Sequence, residues 1–376
     1  MKVSVLFVNY NSGAYLEQCA RSLLEEGGRS GVDLEMVVVD NASPMDQEPW
    51  RKALEGLGAL WIDMGWNSGY ACGVNRAFRE SRGEVILLVN PDVKFLAGSL
   101  PPLLEAVTGD GAARVGAAGP TTWWDEARTI RFPPNIPPSL WESLFQTLAH
   151  LSGAANRAYS LARTRAALPV WRARSPLEVE TLSGGCVAFR REVFLETGGM
   201  DERYPLYFED TDWFRRLRAA GYSLLHVPSS QVVHFFNRSG ITEGESALGR
   251  YWVSRRRFLE KYYGSLGRIV ADWSRALIFS SFAERFLHRP MDFIVDLGKV
   301  PGPPTIALRR RCASFLLELT QDPGFFMAGA IFGEGDRWTP SPRCWEAFGP
   351  SRYFLRGLDV SGGEPRYLGT WSFERV

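Results

Sequence analysis

Three predominantly apolar runs in the first hundred residues constrain the fold more than any other feature. They are VSVLFV at 3–8, MVVV at 36–39 and VILLV at 85–89. Runs of this length are typical of strands that are buried on both faces, as in a parallel sheet. The segments between them place apolar residues at helical spacing, for example in GAYLEQCARSLLEEGG at 13–28. The sequence therefore predicts an α/β fold in which helices flank a parallel sheet.

Polar side chains end or follow each of these strands. The set comprises Asn9, Tyr10, Asn11, Asp40, Asn41, Asn90 and Asp92. In an open α/β sheet the carboxyl ends of the strands lie along one edge, and ligands bind there. A carboxylate and an amide at that edge suit an oxygen-liganded divalent cation such as Mg²⁺ or Mn²⁺. Asn90-Pro91-Asp92 is equally compatible with a simple turn, because Pro fixes φ and both neighbours tolerate turn geometry.

A second acidic group lies in YFEDTDWF at 207–214, just before a predicted helix. Carboxylates at a helix start interact well with the helix dipole, and this structural role is our interpretation of Asp212. Glu209 and Asp210 follow two aromatic residues, and a carboxylate near apolar groups and a like charge acquires the raised pKa that a general base needs. His234 follows a predicted strand and is either a hydrogen-bonded structural residue or a ligand of a nearby cation.

Composition and charge exclude several classes of protein. The formal net charge is +1 and 23% of residues are charged, so no global field favours nucleic acid as a partner. The N-terminal apolar run is too short for a signal peptide, and no window approaches the roughly 18 apolar residues of a membrane span. The five cysteines are scattered without a CxxC pair, which indicates free thiols. We therefore expect a cytoplasmic protein.

The remainder of the chain divides into segments of different character. Residues 121–178 are rich in Pro, Trp and Arg and form either a solvated loop and helix or a mobile basic flap over an anionic substrate. Beyond 245 the pattern is helical, and its basic runs either are solvated or contact a membrane surface. We predict a main domain at 1–245, a helical extension at 246–300 and a tail with short strands at 301–376.

Six segments in this order resemble the family 2 glycosyltransferases with the GT-A fold, particularly bacterial rhamnosyltransferase-like members that build cell-surface polysaccharides. They are VNYNSG, VVVDNAS, NSGYACGVNRA, LLVNPDV, SGGCVAFRREVFLETGGMDERYPLYFEDTDWFRRLRAAG and VPSSQVVH, within about residues 1–245. The resemblance implies a mixed, Rossmann-like sheet flanked by helices. It also implies a nucleotide-binding half at 1–120 and an acceptor and catalytic half at 121–245.

By this resemblance the first half binds a nucleoside-diphosphate sugar. Tyr10 is expected to stack on the base and Asp40 to accept its ring N–H. The other residues expected near the nucleoside or diphosphate are Asn11, Asn41, Asn67, Gly69 and Asn90. Asp92 takes the place of the metal-binding aspartate, His234 that of a further metal ligand, and the ion is Mn²⁺ or Mg²⁺.

The resemblance also assigns the chemistry. Asp210, beside Glu209, is expected to be the catalytic base of a single inverting displacement, and Ser183, Gly184 and Gly185 are expected to approach the acceptor or donor sugar. A sugar such as rhamnose would move from a dTDP- or UDP-sugar to a saccharide or lipid-linked acceptor. A lipid-linked acceptor would bring the protein to the inner face of the membrane.

Three other functions compete with this one. A dinucleotide oxidoreductase needs a GxGxxG turn after the first strand, and NYNSGAYL does not supply it. A sugar nucleotidyltransferase would need a Gly-rich phosphate loop with a basic residue there, and both are missing. A non-catalytic sugar-binding or scaffold protein on the same fold stays open as an alternative. Glu209, Asp210 and His234 argue against it, because binding alone needs no base.

Overall fold

The computed structural model describes residues 1–235, 244–287 and 294–376. The chain forms two compact units according to its internal contacts. Unit 1 comprises residues 1–121, 135–137 and 173–268, and unit 2 comprises residues 122–134, 138–172 and 269–376. The domain boundaries at 245 and 300 stay predictions.

The apolar runs near the N-terminus form the centre of a nine-stranded sheet, counted over the described residues. Its strands are β1 (Lys2–Asn9), β2 (Asp33–Asp40), β3 (Leu60–Asp63), β4 (Val85–Val89), β5 (Val93–Phe95), β6 (Val115–Trp123), β7 (Leu177–Val179), β8 (Cys186–Arg190) and β9 (Ser223–His234). The order is β3-β2-β1-β4-β8-β6-β9-β5, and β7 pairs with β9. The pairs among β1 to β4 are parallel, whereas β8 pairs antiparallel to β4 and β6. The expected mixed α/β sheet is therefore confirmed.

The helices are α1 (Gly13–Ser30), α2 (Glu48–Gly56), α3 (Tyr70–Glu80), α4 (Leu100–Thr108), α5 (Leu140–Leu151), α6 (Gly153–Arg172), α7 (Arg191–Glu196), α8 (Glu209–Ala219), α9 (Gly244–Ile278), α10 (Ser281–Leu287) and α11 (Pro342–Trp345). Successive side chains of a strand point to opposite faces, so each face of the sheet has its own core. Val5 and Phe7 of β1 pack with α1 and α4, whereas Leu6 and Val8 pack with α3, α7 and α8.

The register of the parallel strands aligns their polar ends. Asn9 pairs with Asp40, and Asp40 pairs with Asp63 on the next strand. The backbone N–H of Asn41 donates to the carbonyl of Asn9, which continues the alignment beyond the strands. The predicted polar residues thus lie at one edge of the sheet, as the parallel arrangement requires.

Unit 2 contains a five-stranded sheet, again counted over the described residues. Its strands are β10 (Ile294–Val300), β11 (Ile306–Thr320), β12 (Gly329–Trp338), β13 (Ser351–Asp359) and β14 (Arg366–Arg375), in the order β10-β14-β13-β11-β12. The strands after 301 are longer than the short strands expected there, and β11 alone has 15 residues. Residues 294–300 form a strand where helix was expected. The exposed Arg309, Arg310 and Arg311 interrupt the apolar pattern of β11, so its length is not evident from the sequence.

None of the helices in the part of the chain that the structure describes is sufficiently long and apolar to span a bilayer.

Candidate active site

A cavity of about 300 Å³ in unit 1 is lined by residues that follow β1, β2 and β4. Seven of the predicted site residues line it, namely Tyr10, Asn41, Asn67, Gly69, Asn90, Asp92 and His234. They come from positions up to 224 residues apart, and the sheet register brings them together. The roles assigned to them stay predictions.

Asp92 and His234 form a buried pair beside this cavity. Val93 pairs with His234 in the antiparallel ladder of β5 and β9, which brings the imidazole next to Asp92. Nε2 of His234 lies 3.0 Å from Oδ1 of Asp92, and the two residues are 7% and 6% exposed. A carboxylate oxygen and an imidazole nitrogen this close to each other can bind a single divalent cation.

The segment Asn90-Pro91-Asp92 is a turn and part of the cavity wall at the same time. The N–H of Val93 donates to the carbonyl of Asn90 at 3.2 Å, which closes the turn. The side chain of Asn90 accepts a hydrogen bond from the Tyr70 hydroxyl at 3.1 Å. The backbone N–H of Asn90 donates to the carbonyl of Gly185 at 2.8 Å. The same three residues therefore form a turn and line the cavity.

Gly184 and Gly185 lie between the two acidic groups of the site. The N–H of Gly184 donates to Oδ2 of Asp210 at 3.1 Å, and a Cβ at this position would lie 2.5 Å from that oxygen. A Cβ at Gly185 would lie 3.0 Å from Cε1 of His234. Ser183 accepts a weak hydrogen bond from the N–H of Gly185 at 3.4 Å. Asp210 and the Asp92–His234 pair thus contact the same pair of glycines.

The two neighbouring carboxylates differ in their surroundings. Asp210 also accepts hydrogen bonds from the N–H and the hydroxyl of Thr211, at 2.6 and 3.1 Å. Burial raises the pKa of Asp210 above its ordinary value, although these hydrogen bonds oppose the shift. Glu209 is 5% exposed, and its Oε2 has no hydrogen-bond partner among the described residues. Burial, together with the charge of Asp210, raises the pKa of Glu209 to about 8.

Asp212 has a structural role, as the sequence suggested, but its partners are side chains rather than the helix dipole alone. Its fully buried carboxylate accepts hydrogen bonds from Tyr204 at 3.1 Å, Tyr262 at 2.9 Å and Arg216 at 2.9 Å. Lys261 lies 2.6 Å away as an ion-pair partner. Asp212 therefore joins α8 to α9 within unit 1.

Asp40 and Asn11 organise the loop after β2 and are absent from the cavity lining. Oδ1 of Asp40 accepts hydrogen bonds from Asn9 at 2.7 Å and from the Ser43 hydroxyl at 2.7 Å. The N–H of Asn11 donates to the same hydroxyl at 2.8 Å, and its side chain accepts from the N–H of Met45. Oδ2 of Asp40 accepts from the N–H of Ser43 at 3.0 Å and has capacity for one further hydrogen bond. The expected contact with a base N–H stays a prediction.

Several cavity residues were missed by sequence reasoning. They are Tyr70, Pro205, Leu206, Tyr207 and Arg250, together with Val8, Ser12, Pro91 and Ala247. Tyr70 and Tyr207 lie within the recognised motifs, close to the predicted site residues Gly69 and Glu209. Their aromatic character at these positions could have identified them as site residues. Arg250 lies beyond the last motif, and nothing in the local sequence distinguishes it from the other basic residues of α9.

Known proteins are similar to this chain along most of its length. Residues 4–163 match the model of the glycosyl transferase family 2, and residues 164–238 match that of the N-terminal domain of galactosyltransferase. An N-acetylglucosaminyl-diphospho-decaprenol L-rhamnosyltransferase from Mycobacterium tuberculosis is 29% identical over 286 residues, which are 72% of this chain and 88% of that protein. A hexosyltransferase of low-salt glycan biosynthesis from Haloferax volcanii is 25% identical, over 72% of this chain and 82% of that protein.

Among solved structures, a mannosyltransferase from Pyrobaculum calidifontis in complex with GDP-Man and Mn²⁺ superimposes with a TM-score of 0.46 at 17% identity. The match covers 76% of this chain and 78% of that chain. The family models, the related enzymes and the mixed α/β sheet lead to one conclusion. The chain is a glycosyltransferase whose residues 4–163 are similar to the glycosyl transferase family 2, and its mixed α/β sheet agrees with that similarity.

Proposed function

We propose that the protein is a metal-dependent, inverting glycosyltransferase that acts on a nucleoside-diphosphate sugar. The observation that carries this proposal is the contact of Asp210 and His234 with the same glycine pair. Gly184 donates to the carboxylate of Asp210, and Gly185 packs against the imidazole of His234. The base and the cation site thus both lie at the two glycines that precede β8. This arrangement suits a reaction in which a hydroxyl loses a proton while a diphosphate leaves.

The side chains present fit a divalent cation. Asp92 and His234 offer one carboxylate and one imidazole, and both are more than nine-tenths buried. No cluster of three or more His, Cys, Asp or Glu side chains suited to a metal occurs within residues 1–235, 244–287 and 294–376. Two protein ligands suffice for Mg²⁺ or Mn²⁺, because such ions usually complete their shell with water and substrate phosphates. An ion held by Asp92 and His234 would neutralise negative charge on the leaving diphosphate.

The donor would occupy the cavity with its base towards Tyr10. Asn41 and Asn67 are hydrogen-bonded to each other at 3.0 Å, and Asn41 also accepts from the N–H of Ser68. This fixed amide cluster, which ends at Gly69, supports a contact with the nucleoside. Arg250 supplies a positive charge among the cavity-lining residues and suits the diphosphate, because a guanidinium pairs well with phosphate oxygens.

In the reaction, Asp210 would remove the proton of the acceptor hydroxyl. That oxygen would form a bond to the anomeric carbon from the face opposite the nucleoside diphosphate, whose bond to the same carbon breaks. The hydrogen bonds from Thr211 and Gly184 orient the carboxylate of Asp210 for this task. General base assistance of this kind typically contributes about 10²–10⁴-fold to the rate.

The acceptor and the donor sugar are proposed from the relatives. The Mycobacterium tuberculosis protein is an L-rhamnosyltransferase of N-acetylglucosaminyl-diphospho-decaprenol. We therefore propose transfer of a sugar such as rhamnose from a dTDP- or UDP-sugar to a saccharide or lipid-linked acceptor. A lipid-linked acceptor would require work at the inner face of the membrane, in synthesis of a cell-surface polysaccharide.

Calorimetric titration with UDP and dTDP tests the proposal, first with Mn²⁺ and then with EDTA. We expect one nucleotide to bind with Mn²⁺ and to lose most of its affinity with EDTA. Asp92→Asn should weaken the binding that depends on Mn²⁺, because it removes a charged ligand. Failure of both nucleotides to bind in the presence of Mn²⁺ would overturn the proposal.

Asp210→Asn is the matched variant for the chemical step. It should bind the same nucleotide with unchanged affinity, because Asp210 is absent from the cavity lining. Its transfer rate, measured with the nucleotide sugar of the preferred base, should fall by about 10²–10⁴-fold. Unchanged turnover in this variant would exclude Asp210 as the base.

A further inference from the structure

Two consecutive aromatic residues before the catalytic pair have left-handed backbone conformations. Tyr207 has a φ of 64° and Phe208 a φ of 68°. Such angles are uncommon for residues other than Gly and are genuine outliers for bulky side chains. Backbone strain of this kind persists only where the surroundings enforce it, which is most often at functional sites.

The surroundings of Phe208 explain how this conformation is held. Its ring is 8% exposed and lies 5.4 Å from the ring of Tyr251 and 5.5 Å from that of Phe258, both on α9. Its carbonyl accepts the N–H of Asp212 at 2.8 Å, and the carbonyl of Leu206 accepts the Ser254 hydroxyl at 2.7 Å. The backbone is therefore fixed on both sides of Tyr207.

As a consequence, the ring of Tyr207 is exposed although the backbone that carries it is held in place. Tyr207 is 43% exposed and lines the cavity together with Pro205 and Leu206. Its ring has an edge contact with Tyr251, with 6.1 Å between the centroids. Phe208 is the buried member of this pair, whereas the ring of Tyr207 keeps much of its surface exposed. Strain that holds an exposed ring beside a cavity indicates a ligand for that ring.

We propose that Tyr207 forms the acceptor subsite, where its ring stacks against the apolar face of a pyranoside and directs one of its hydroxyl groups towards Asp210. This inference rests on the proposed function and deepens it. The C–H groups on one face of a pyranose are apolar, and an aromatic face is their natural partner. Tyr207 is three residues from Asp210 along the chain, so the two backbones lie within about 11 Å of each other.

Saturation-transfer NMR with the full chain tests the subsite. The probes are methyl glycosides of N-acetylglucosamine, glucose, galactose and rhamnose, added with the preferred nucleotide and Mg²⁺. We expect at least one glycoside to receive saturation on one ring face in the wild type. Tyr207→Phe should retain this signal, whereas Tyr207→Ala should weaken glycoside affinity at least fivefold. Absence of binding by every glycoside, or equal binding by Tyr207→Ala, would overturn the inference.

Controls separate this result from misfolding and from failure of the proposed function. Tyr367 of unit 2 is 42% exposed, so Tyr367→Ala removes an equally exposed ring and should leave glycoside binding unchanged. If Tyr207→Ala does not fold, Tyr207→Asn takes its place, because Asn tolerates left-handed backbone. If the wild type binds the nucleotide and the Tyr207 variant still binds the glycoside normally, only the subsite is rejected. A wild type that binds no nucleotide would reject the proposed function itself.

Discussion

At the scale of single residues, Glu209 and Asp210 are adjacent carboxylates in different environments. Asp210 accepts hydrogen bonds from Thr211 and Gly184, which stabilise its charged form. Glu209 is almost fully buried, and one of its oxygens has no hydrogen-bond partner in the described part of the chain. Environments that separate the pKa values of two carboxyl groups commonly mark their different roles. Asp210 is suited to act as the base, and Glu209 is suited to remain protonated near neutral pH.

The raised pKa of Glu209 predicts a specific dependence of stability on pH. Its folded value of about 8 lies above the ordinary 4.5, so the folded state keeps a proton that the unfolded chain releases between these values. The stabilisation is therefore complete below pH 4.5 and declines as the pH rises towards 8. Relative to Glu209→Gln, the wild type should lose up to ~1.4 kcal/mol of unfolding free energy per pH unit in this range.

Urea denaturation of both proteins at pH 5, 6, 7 and 8 measures this difference. Glu105→Gln is a suitable control, since Glu105 is an exposed glutamate of α4. Parallel stability curves for wild type and Glu209→Gln would show that Glu209 titrates normally.

The residue scale also shows what sequence can predict about the site. The polar residues after β1, β2 and β4 were identified because strand ends converge at one sheet edge. Asp92 and His234 are 142 positions apart, and the sequence pattern left His234 open between a structural role and a cation ligand until the resemblance to a known family paired it with Asp92. Arg250 could not be predicted, because its place at the cavity depends on how α9 packs in unit 1.

At the scale of elements, the start of β8 determines how close Asp210 and His234 can come to each other. Gly184 is not one of the glycines with a positive φ. A glycine is therefore needed at this position for space rather than for backbone conformation. A side chain would displace the carboxylate of Asp210, whose oxygen lies 2.5 Å from the position of a Cβ. Displacement of a catalytic group by about 1 Å can reduce the rate about 10²-fold.

Gly184→Ala should therefore impair turnover much more than nucleotide binding. We expect a fall of about 10²-fold in kcat, with nucleotide affinity close to that of the wild type. Gly28→Ala is the matched control, because a Cβ there meets no atom within 4 Å. Steady-state kinetics and calorimetric titration measure the two quantities. Normal turnover in Gly184→Ala would mean that the backbone relaxes and that the glycine pair is not a constraint.

Prediction of the elements succeeded where the apolar pattern was continuous. β4 is buried along its whole length, β1 along all but its first residue, and β2 from Met36 to Asp40. β11 alternates buried and exposed residues at its start and becomes fully buried later. A strand with two patterns is difficult to recognise, because each part alone is short. This explains why a five-stranded sheet was expected only as short strands.

At the scale of the whole molecule, the proposed chemistry and a buried ion pair belong to different units. Every residue that lines the cavity lies in unit 1. Unit 2 buries Glu318 and Arg356, which are 3% and 4% exposed. Nε of Arg356 donates to Oε2 of Glu318 at 2.7 Å, while Ser160 accepts from Arg356 and Thr164 donates to Glu318. This network joins α6 to the sheet of unit 2.

Breaking this pair should reduce stability without affecting the donor site. Glu318→Ala leaves the Arg356 charge buried without its partner, and the loss of such a partner costs about 3–5 kcal/mol. The double variant Glu318→Leu with Arg356→Met should lose less, because it removes both charges and retains the volume. Urea denaturation measures the stabilities, and nucleotide titration below the transition should give the wild-type affinity for both variants. A larger loss in the double variant than in Glu318→Ala would show that the ion pair itself, and not the avoidance of an unpaired charge, stabilises unit 2.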